Sequence, residues 1–283
     1  MLYLINKRGD IMSYKADQHS HSFFSFDSKN NLDEMCKKAI SIGFDEIAIT
    51  DHKDFYQSEV LKRLEVPFDH DAAYNAICDI KEKYKDRLKV SVGVEFGQPT
   101  EDPEFAKELL SSHNYDMVIG SLHSLYRMPD FYLLDFSKIT GGQCDLFITQ
   151  YFKEIEELVD WGDFDTLAHL TYPIRYIKAG GHNVDLEKHI PQIKIIFEKL
   201  IEKGIALEVN SSGYRQGLGG PLPDYEILKL YREIGGEYIT VGGDGHTIED
   251  LCLNIERVYE KLKSLGFKYI CSFTERKIEK KEI

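Results

Sequence analysis

Apolar residues along this chain follow two alternating patterns. Short runs rich in β-branched and small residues fall at 14–19, 46–51, 89–95, 116–122, 164–169, 205–210 and 238–243, with a further one at 268–273. Between them, 32–42, 69–86, 101–111, 150–160, 186–203, 224–234 and 248–265 place apolar residues at three- and four-residue spacing with Lys and Glu between. That spacing predicts helices with one buried face. Gly43 supplies a helix stop and Asp69 a helix start. The segments 124–148 and 171–185, with Met128–Pro129, Gly141–Gly142 and Gly180–Gly181, read as longer loops. Strand then helix, repeated through the chain, predicts parallel strands joined by crossover helices. One domain over residues 1–283 is expected, with residues 1–11 as an N-terminal extension.

The candidate chemistry sits where the strands end. The first run leads into DQHSHSFFSFD, with His19 and His21 two residues apart. On a strand, that spacing puts both imidazoles on one face, which suits a metal ion. The next runs end at Asp51–His52, at Glu95, at His123 in GSLH, at His169 in AHLT, at Asn210 in EVNSSGYR, and at Asp244 and His246 in GGDGH. Each piece alone has an ordinary explanation: a capped turn for Asp51–His52, a core histidine for His169, a glycine turn for GGDGH. Jointly they do not, because six of the ten histidines fall at these strand ends. An open sheet would spread such ends along a line, whereas a parallel barrel gathers them on one face. The pattern therefore predicts an α/β barrel with a shared metal centre at the C-terminal ends of its strands. Asp51 is read as orienting a ligand. His70, His113 and His189 are read as surface residues, and His182 in AGGHN either faces the site from a loop or does not.

Composition narrows the partners. The net charge of −13 argues against a nucleic-acid surface, which needs a basic patch. It leaves room for a small anion, since metals reverse the field inside a cleft. No apolar run approaches the roughly 20 residues of a membrane span. The start, MLYLINKRGDI, is too short an apolar stretch for a secretory signal. Cys36, Cys78, Cys144, Cys252 and Cys271 are dispersed, odd in number and without a CxxC pair, which predicts reduced thiols and a cytoplasmic location.

Taken in order, HxH, TDH, a strand-end Glu, SLH, AH and GDxH resemble the PHP (polymerase and histidinol phosphatase) superfamily of metal-dependent phosphoesterases, over residues 19 to 246. The resemblance implies a distorted (β/α)7 TIM-like barrel and commonly three divalent ions, with Zn, Mn or Fe all suited to mixed His and carboxylate donors. Position by position it implies His19, His21, Glu95 and Asp244 around a first ion. A second would take bridging Glu95 with His123 and His169. A third would take His52, His246 and Asp27, where some relatives carry histidine. Within the superfamily the chain looks most like the stand-alone histidinol-phosphate phosphatases, because NSSGYRQGLGGPLPD (210–224) and HLTYPIRY (169–176) resemble that branch.

The implied reaction is hydrolysis of L-histidinol phosphate in histidine biosynthesis, by attack of a metal-bridged hydroxide on phosphorus, with no covalent phosphoenzyme. Glu95, Asp244 and His246 are the candidate catalytic residues. Asp244, His246 and a metal-bound water are the candidates for protonating the leaving alkoxide. Arg175 and Arg215, shortly after strand ends, suit phosphate oxygens. Phe23, Phe24, Tyr126 and His182 are placed beside the substrate. Other readings stay open: a PHP phosphoesterase for a nucleotide, sugar phosphate or phosphotyrosine, or a non-catalytic metal-stabilised module. An amidohydrolase-type site is disfavoured, since no lysine stands at a strand end. The oligomeric state is open.

Overall fold

The computed structural model describes residues 13–56 and 68–283; the expected extension at 1–11 lies outside these. Seven parallel strands form the frame: β1 (Ala16–Asp17), β2 (Glu46–Ile49), β4 (Lys89–Gly97), β5 (Met117–Ser121), β6 (Thr166–Leu167), β7 (Ala206–Asn210) and β8 (Ile239–Gly242), adjacent in that order. A short strand, β3 (His52–Asp54), continues β2 after a jog at Thr50–Asp51 and also pairs with β4, His52 opposite Glu95. The ring closes between β1 and β8. Gln18 N donates to Val241 O at 2.9 Å, Asp244 N to His19 O at 2.7 Å and His21 N to Gly245 O at 3.1 Å. The result is the distorted (β/α)7 barrel expected.

Helices wrap the ring because their apolar spacing gives each one buried face. In α1 (Leu32–Ser41) the Asn31 side chain caps the first turn, and Leu32, Met35, Cys36 and Ala39 are buried. The others are α2 (His70–Tyr84), α3 (Pro103–Ser112), α4 (Gly141–Trp161), α5 (Ile174–Ala179), α6 (Ile190–Lys203), α7 (Ser212–Arg215), α8 (Tyr225–Glu233) and α9 (Ile255–Ser264). α4 begins nine residues before the expected helix at 150–160, inside an expected loop. Two glycines of low helix propensity open it, but Thr140 and Gln143 form a reciprocal capping box and Cys144 and Ile148 are buried. α5 likewise occupies part of the expected loop 171–185. α9 starts seven residues later than expected, because Cys252 and Asn254 adopt positive φ (63° and 64°).

The run at 268–273 does not join the barrel. It forms β9 (Tyr269–Thr274), paired antiparallel with β10 (Lys277–Glu282). This hairpin closes the N-terminal mouth. Cys271 and Phe273 pack on Ala48, Met117, Ile119 and Ala168, and Arg276 reaches Asp163 and Asp165 at 2.9 and 3.1 Å. With one end plugged by the hairpin, the opposite end is left for chemistry. No described helix is long and apolar enough to cross a membrane.

Candidate metal centre

The centre is built around Glu95. In β4 (KVSVGVEFG) successive side chains alternate, so Val90, Val92, Val94 and Phe96 face the helices while Ser91, Gly93, Glu95 and Gly97 face the barrel interior. Glu95 is fully buried, and four imidazoles lie within 3.3 Å of its oxygens, with His21 Nε2 at 3.7 Å. His52 Nδ1 and His19 Nε2 lie 2.8 and 3.3 Å from Oε2, and His123 Nε2 and His169 Nε2 lie 3.1 and 3.2 Å from Oε1. His21 Nε2 lies 3.3 Å from Asp244 Oδ1. Asp27 Oδ2 lies 3.1 Å from His246 Nε2 and 3.8 Å from His52 Nε2. All nine residues expected as metal ligands are thus brought to one place.

Among the described residues, four sets of donor atoms lie within 4.8 Å of one another: His19, His21 and Glu95; Glu95, His123 and His169; His21, His52 and His246; and His52, Asp54 and His123. The second has the composition implied by the resemblance, the first lacks Asp244, and the third holds His21 where the resemblance implied Asp27. The donors fit divalent ions. His19 Nε2, His21 Nε2, His52 Nδ1 and Glu95 Oε2 are buried and make no hydrogen bond, an arrangement that a protein avoids unless a ligand completes it.

Electrostatics of the cluster agree. Burial would raise the Glu95 carboxyl, but the imidazoles of His19, His123 and His52 hold it well below the usual range. Burial would lower His19, yet Glu208, Glu95 and Asp244 hold it well above its ordinary value. His21 goes the other way, pushed well down by burial and by His52 and His246. Asp27 is held down to about 2, against burial, by its bond to His246.

The imidazoles are oriented from behind. Glu208 is buried on β7 (Ala206–Asn210), accepts from His19 Nδ1 at 2.6 Å and from the His169 backbone N at 2.7 Å. Asp54 Oδ1 lies 3.0 Å from His123 Nδ1. Such partners set which ring nitrogen is free for a metal. Asp51 accepts from Ser22 N, Ser22 Oγ and Ser25 Oγ, each at 2.7 Å, and fixes the turn after His21. Two glycines make room. A Cβ on Gly97 would sit 1.7 Å from Asp54 Oδ1, and one on Gly242 would sit 2.5 Å from Glu208 Oε1. Asp244 is held at φ 52°, a costly conformation for a side chain other than glycine or asparagine, at the site of closure.

Sequence reasoning missed Glu208 and Asp54. The signals were a carboxylate amid the apolar run ALEVN, and an acid two residues past His52, hence on the same strand face.

Above the centre lies a cavity of about 510 Å³ lined by Phe26, Asp27, Asp130, Tyr132, Arg175 and Arg215, among others. Arg175 stacks on Tyr172 with its Cζ 4.0 Å from the ring centroid, donates to Tyr176 Oη at 2.6 Å, and keeps a buried Nε with no partner. Arg215 donates to the carbonyl oxygens of Gly243 and Asp244, which braces the loop carrying Asp244. Four expected substrate contacts, Phe23, Phe24, Tyr126 and His182, do not line this cavity. His182 lines a separate pocket with Lys178 and Leu218, Tyr126 lines another with Glu154, and Phe24 packs against the hydrophobic core beside Phe23. Their side chains are taken up by these other surfaces, which residue order could not reveal. Phe26, Tyr132, Tyr172 and Tyr176 supply the aromatic wall instead. Of the histidines expected at the surface, His189 is buried, and His70 and His113 stack on each other at 4.9 Å, away from the centre.

Known proteins resemble this chain throughout. It is 29% identical over 255 residues to a probable histidinol-phosphatase of Thermotoga maritima, covering 90% of this chain and 94% of that one. It is 26% identical over 271 residues to the histidinol-phosphatase of Lactococcus lactis, covering 94% and 97%. The crystal structure of the Lactococcus lactis histidinol phosphate phosphatase, in complex with zinc, L-histidinol and phosphate, superposes with a TM-score of 0.77 at 24% identity, over 94% of this chain and 98% of that one. The PHP domain model matches residues 17–212, which hold seven of the nine clustered residues, and the chain belongs to the PHP domain family.

Proposed function

We propose that this protein is a metal-dependent phosphomonoesterase that hydrolyses L-histidinol phosphate to L-histidinol and phosphate in histidine biosynthesis. The observation that carries the reading is the ring of four imidazoles on the buried Glu95 carboxylate, open to a cavity with Arg175 in its wall. The named relatives, matched over nearly their full length, support the substrate.

We assign three ions, of Zn, Mn or Fe: one to His19, His21, Glu95 and Asp244, one to Glu95, His123 and His169, and one to His52, His246 and Asp27. Bound there, they would neutralise the phosphate dianion and lower the pKa of a water toward neutrality. The chain's own residues do the rest. Glu95 offers one oxygen to each of two donor sets and so fixes their separation. Glu208 and Asp54 hold His19 and His123 with their second nitrogens free. Arg175, with an unpartnered N–H, takes a phosphate oxygen. Asp244 and His246 line the cavity and stand as donors of the proton that the leaving alkoxide needs. Tyr132, Tyr172 and Tyr176 cover the rest of the substrate and exclude water. All five cysteines are free thiols, in keeping with a reducing cytoplasm.

The test is phosphate release from L-histidinol phosphate, p-nitrophenyl phosphate and AMP, with metals counted on the same sample. A strong preference for L-histidinol phosphate is expected. Better turnover of AMP would overturn the substrate, and no turnover of any ester at full metal loading would overturn the enzyme.

A further inference from the structure

Residues 243–252 carry two of the clustered side chains, Asp244 and His246, yet belong to no strand or helix. The backbone is costly at both ends of this segment. Asp244 is held at φ 52° and Cys252 at φ 63°. Such conformations persist only where the surroundings over-determine them. One buried side chain reaches both ends. Asp17, at the end of β1, is fully buried, and its carboxylate spans the segment: Oδ1 accepts from Gly243 N at 2.8 Å and Oδ2 from Cys252 N at 2.7 Å. Oδ1 also accepts from His19 N at 3.4 Å, which ties the same group to the backbone of the first histidine in the centre. The approach is close, since a Cβ on Gly243 would sit 2.8 Å from Asp17 Oδ2.

Asp17 stands in none of the donor sets and does not line the cavity. A fully buried carboxylate met by backbone N–H groups is a costly way to fill a barrel seam. What it holds is the course of the segment, and with it two ligand positions. Asp244 Oδ1 lies 3.3 Å from His21 Nε2, and His246 Nε2 lies 3.1 Å from Asp27 Oδ2. Arg215 grips the carbonyl oxygens of Gly243 and Asp244 from the cavity side, and Asp17 grips Gly243 N from β1. At the far end the Cys252 N–H goes to Asp17 as well.

We infer that Asp17 is a positioning residue of the metal centre, clamping both ends of residues 243–252 so that Asp244 and His246 meet the ions completed by His19, His21, His52 and Asp27. This rests on the metal-centre reading and adds to it a residue that touches neither metal nor substrate. Two acceptor oxygens on one rigid group fix the two ends relative to each other; an amide, with one oxygen, cannot accept at both places.

The test starts from metal-free protein, wild type and Asp17→Asn. The amide keeps one oxygen and opposes an NH2 to the other backbone N–H, so one end of the segment is released. Amide hydrogen exchange read by mass spectrometry quickens about 10-fold or more across 243–252 and stays unchanged in β4 and β7. Titration with Zn2+ against a chromophoric chelator shows the steps that use Asp244 and His246 weakened about 10-fold or more, with the step of Glu95, His123 and His169 unchanged. In an Asp244→Ala, His246→Ala background the same substitution leaves Zn2+ affinity unaltered, because the ligands through which it acts are gone. Gly243→Ala presses on the carboxylate from the loop side; it gives the same pattern and replaces Asp17→Asn if that variant does not fold. Wild-type exchange and binding in the variants overturn the inference alone. So does a uniform loss at every step, or a further loss in the double-alanine background, since Asp17 would then serve the fold at large. A wild type that takes up no Zn2+ overturns the metal-centre reading, and this one with it.

Discussion

Glu208 offers a sharp test of how the centre is held. It is buried, with Oε1 2.6 Å from His19 Nδ1 and Oε2 2.7 Å from the His169 backbone N. Both of these neighbours act as donors, so the residue between them must accept twice. In Glu208→Gln, volume is kept but one acceptor becomes an NH2. If the amide oxygen stays with His169 N, the NH2 faces His19 Nδ1, which must then accept. The His19 proton moves to Nε2, the nitrogen that points at Glu95 and Asp244, and that nitrogen no longer has a lone pair for a metal. If the amide flips, two N–H groups oppose each other at His169. Loss of such an orienting partner costs about 10- to 100-fold in metal affinity, roughly 1.4–2.7 kcal/mol. The assay is titration of metal-free protein with Zn2+ against a chromophoric chelator, with turnover followed as a function of free Zn2+. The expected result is one weakened binding step and activity recovered at high Zn2+. Unchanged affinity and an unchanged rate at limiting Zn2+ would refute the tautomer argument.

Other outcomes follow from the same geometry. Glu95→Gln removes the charge shared by four imidazoles, and elemental analysis should find at least one ion lost with turnover near background; full rate with full metal content contradicts the bridging assignment. Gly97→Ala would place a Cβ 1.7 Å from Asp54 Oδ1. It should displace Asp54 from His123 and cost about 1–3 kcal/mol of stability, read from denaturant melts; a wild-type melt with wild-type rate would contradict it. Metal uptake should release protons at pH 7. Burial would lower His52, but Glu95 raises it to about 9, and His19 and His123 are held up as well. Since metals bind neutral imidazole, affinity rises with pH through this range and falls in acid. Calorimetry in two buffers of different ionisation heat measures the protons, and a binding heat independent of buffer would count against it.

How much of this was legible beforehand depends on what each feature needs from distance. Strand and helix alternation is a local property, so the barrel frame could be read from periodicity, and ligand types at strand ends follow because all parallel strands end on one face. Eight of the nine clustered residues were readable for that reason; Asp27 came from the resemblance alone. What sequence alone left undecided concerns loops and contacts between strands. The start of α4 was hidden because two glycines weaken a helix that a cap and tertiary burial restore. The run at 268–273 has a strand's composition, but only packing decides whether a strand joins a ring or plugs it. Loop residues such as Phe24, Tyr126 and His182 stand near strand ends in sequence, yet their directions depend on turns that no period describes. Glu208 and Asp54 gain their roles only from neighbours 39 to 189 and 69 positions away. The sequence by itself determined which side chains stand at the strand ends; only the tertiary structure decided which carboxylates face imidazoles and which ring nitrogens are left for a metal, because ion pairing depends on distances across the barrel.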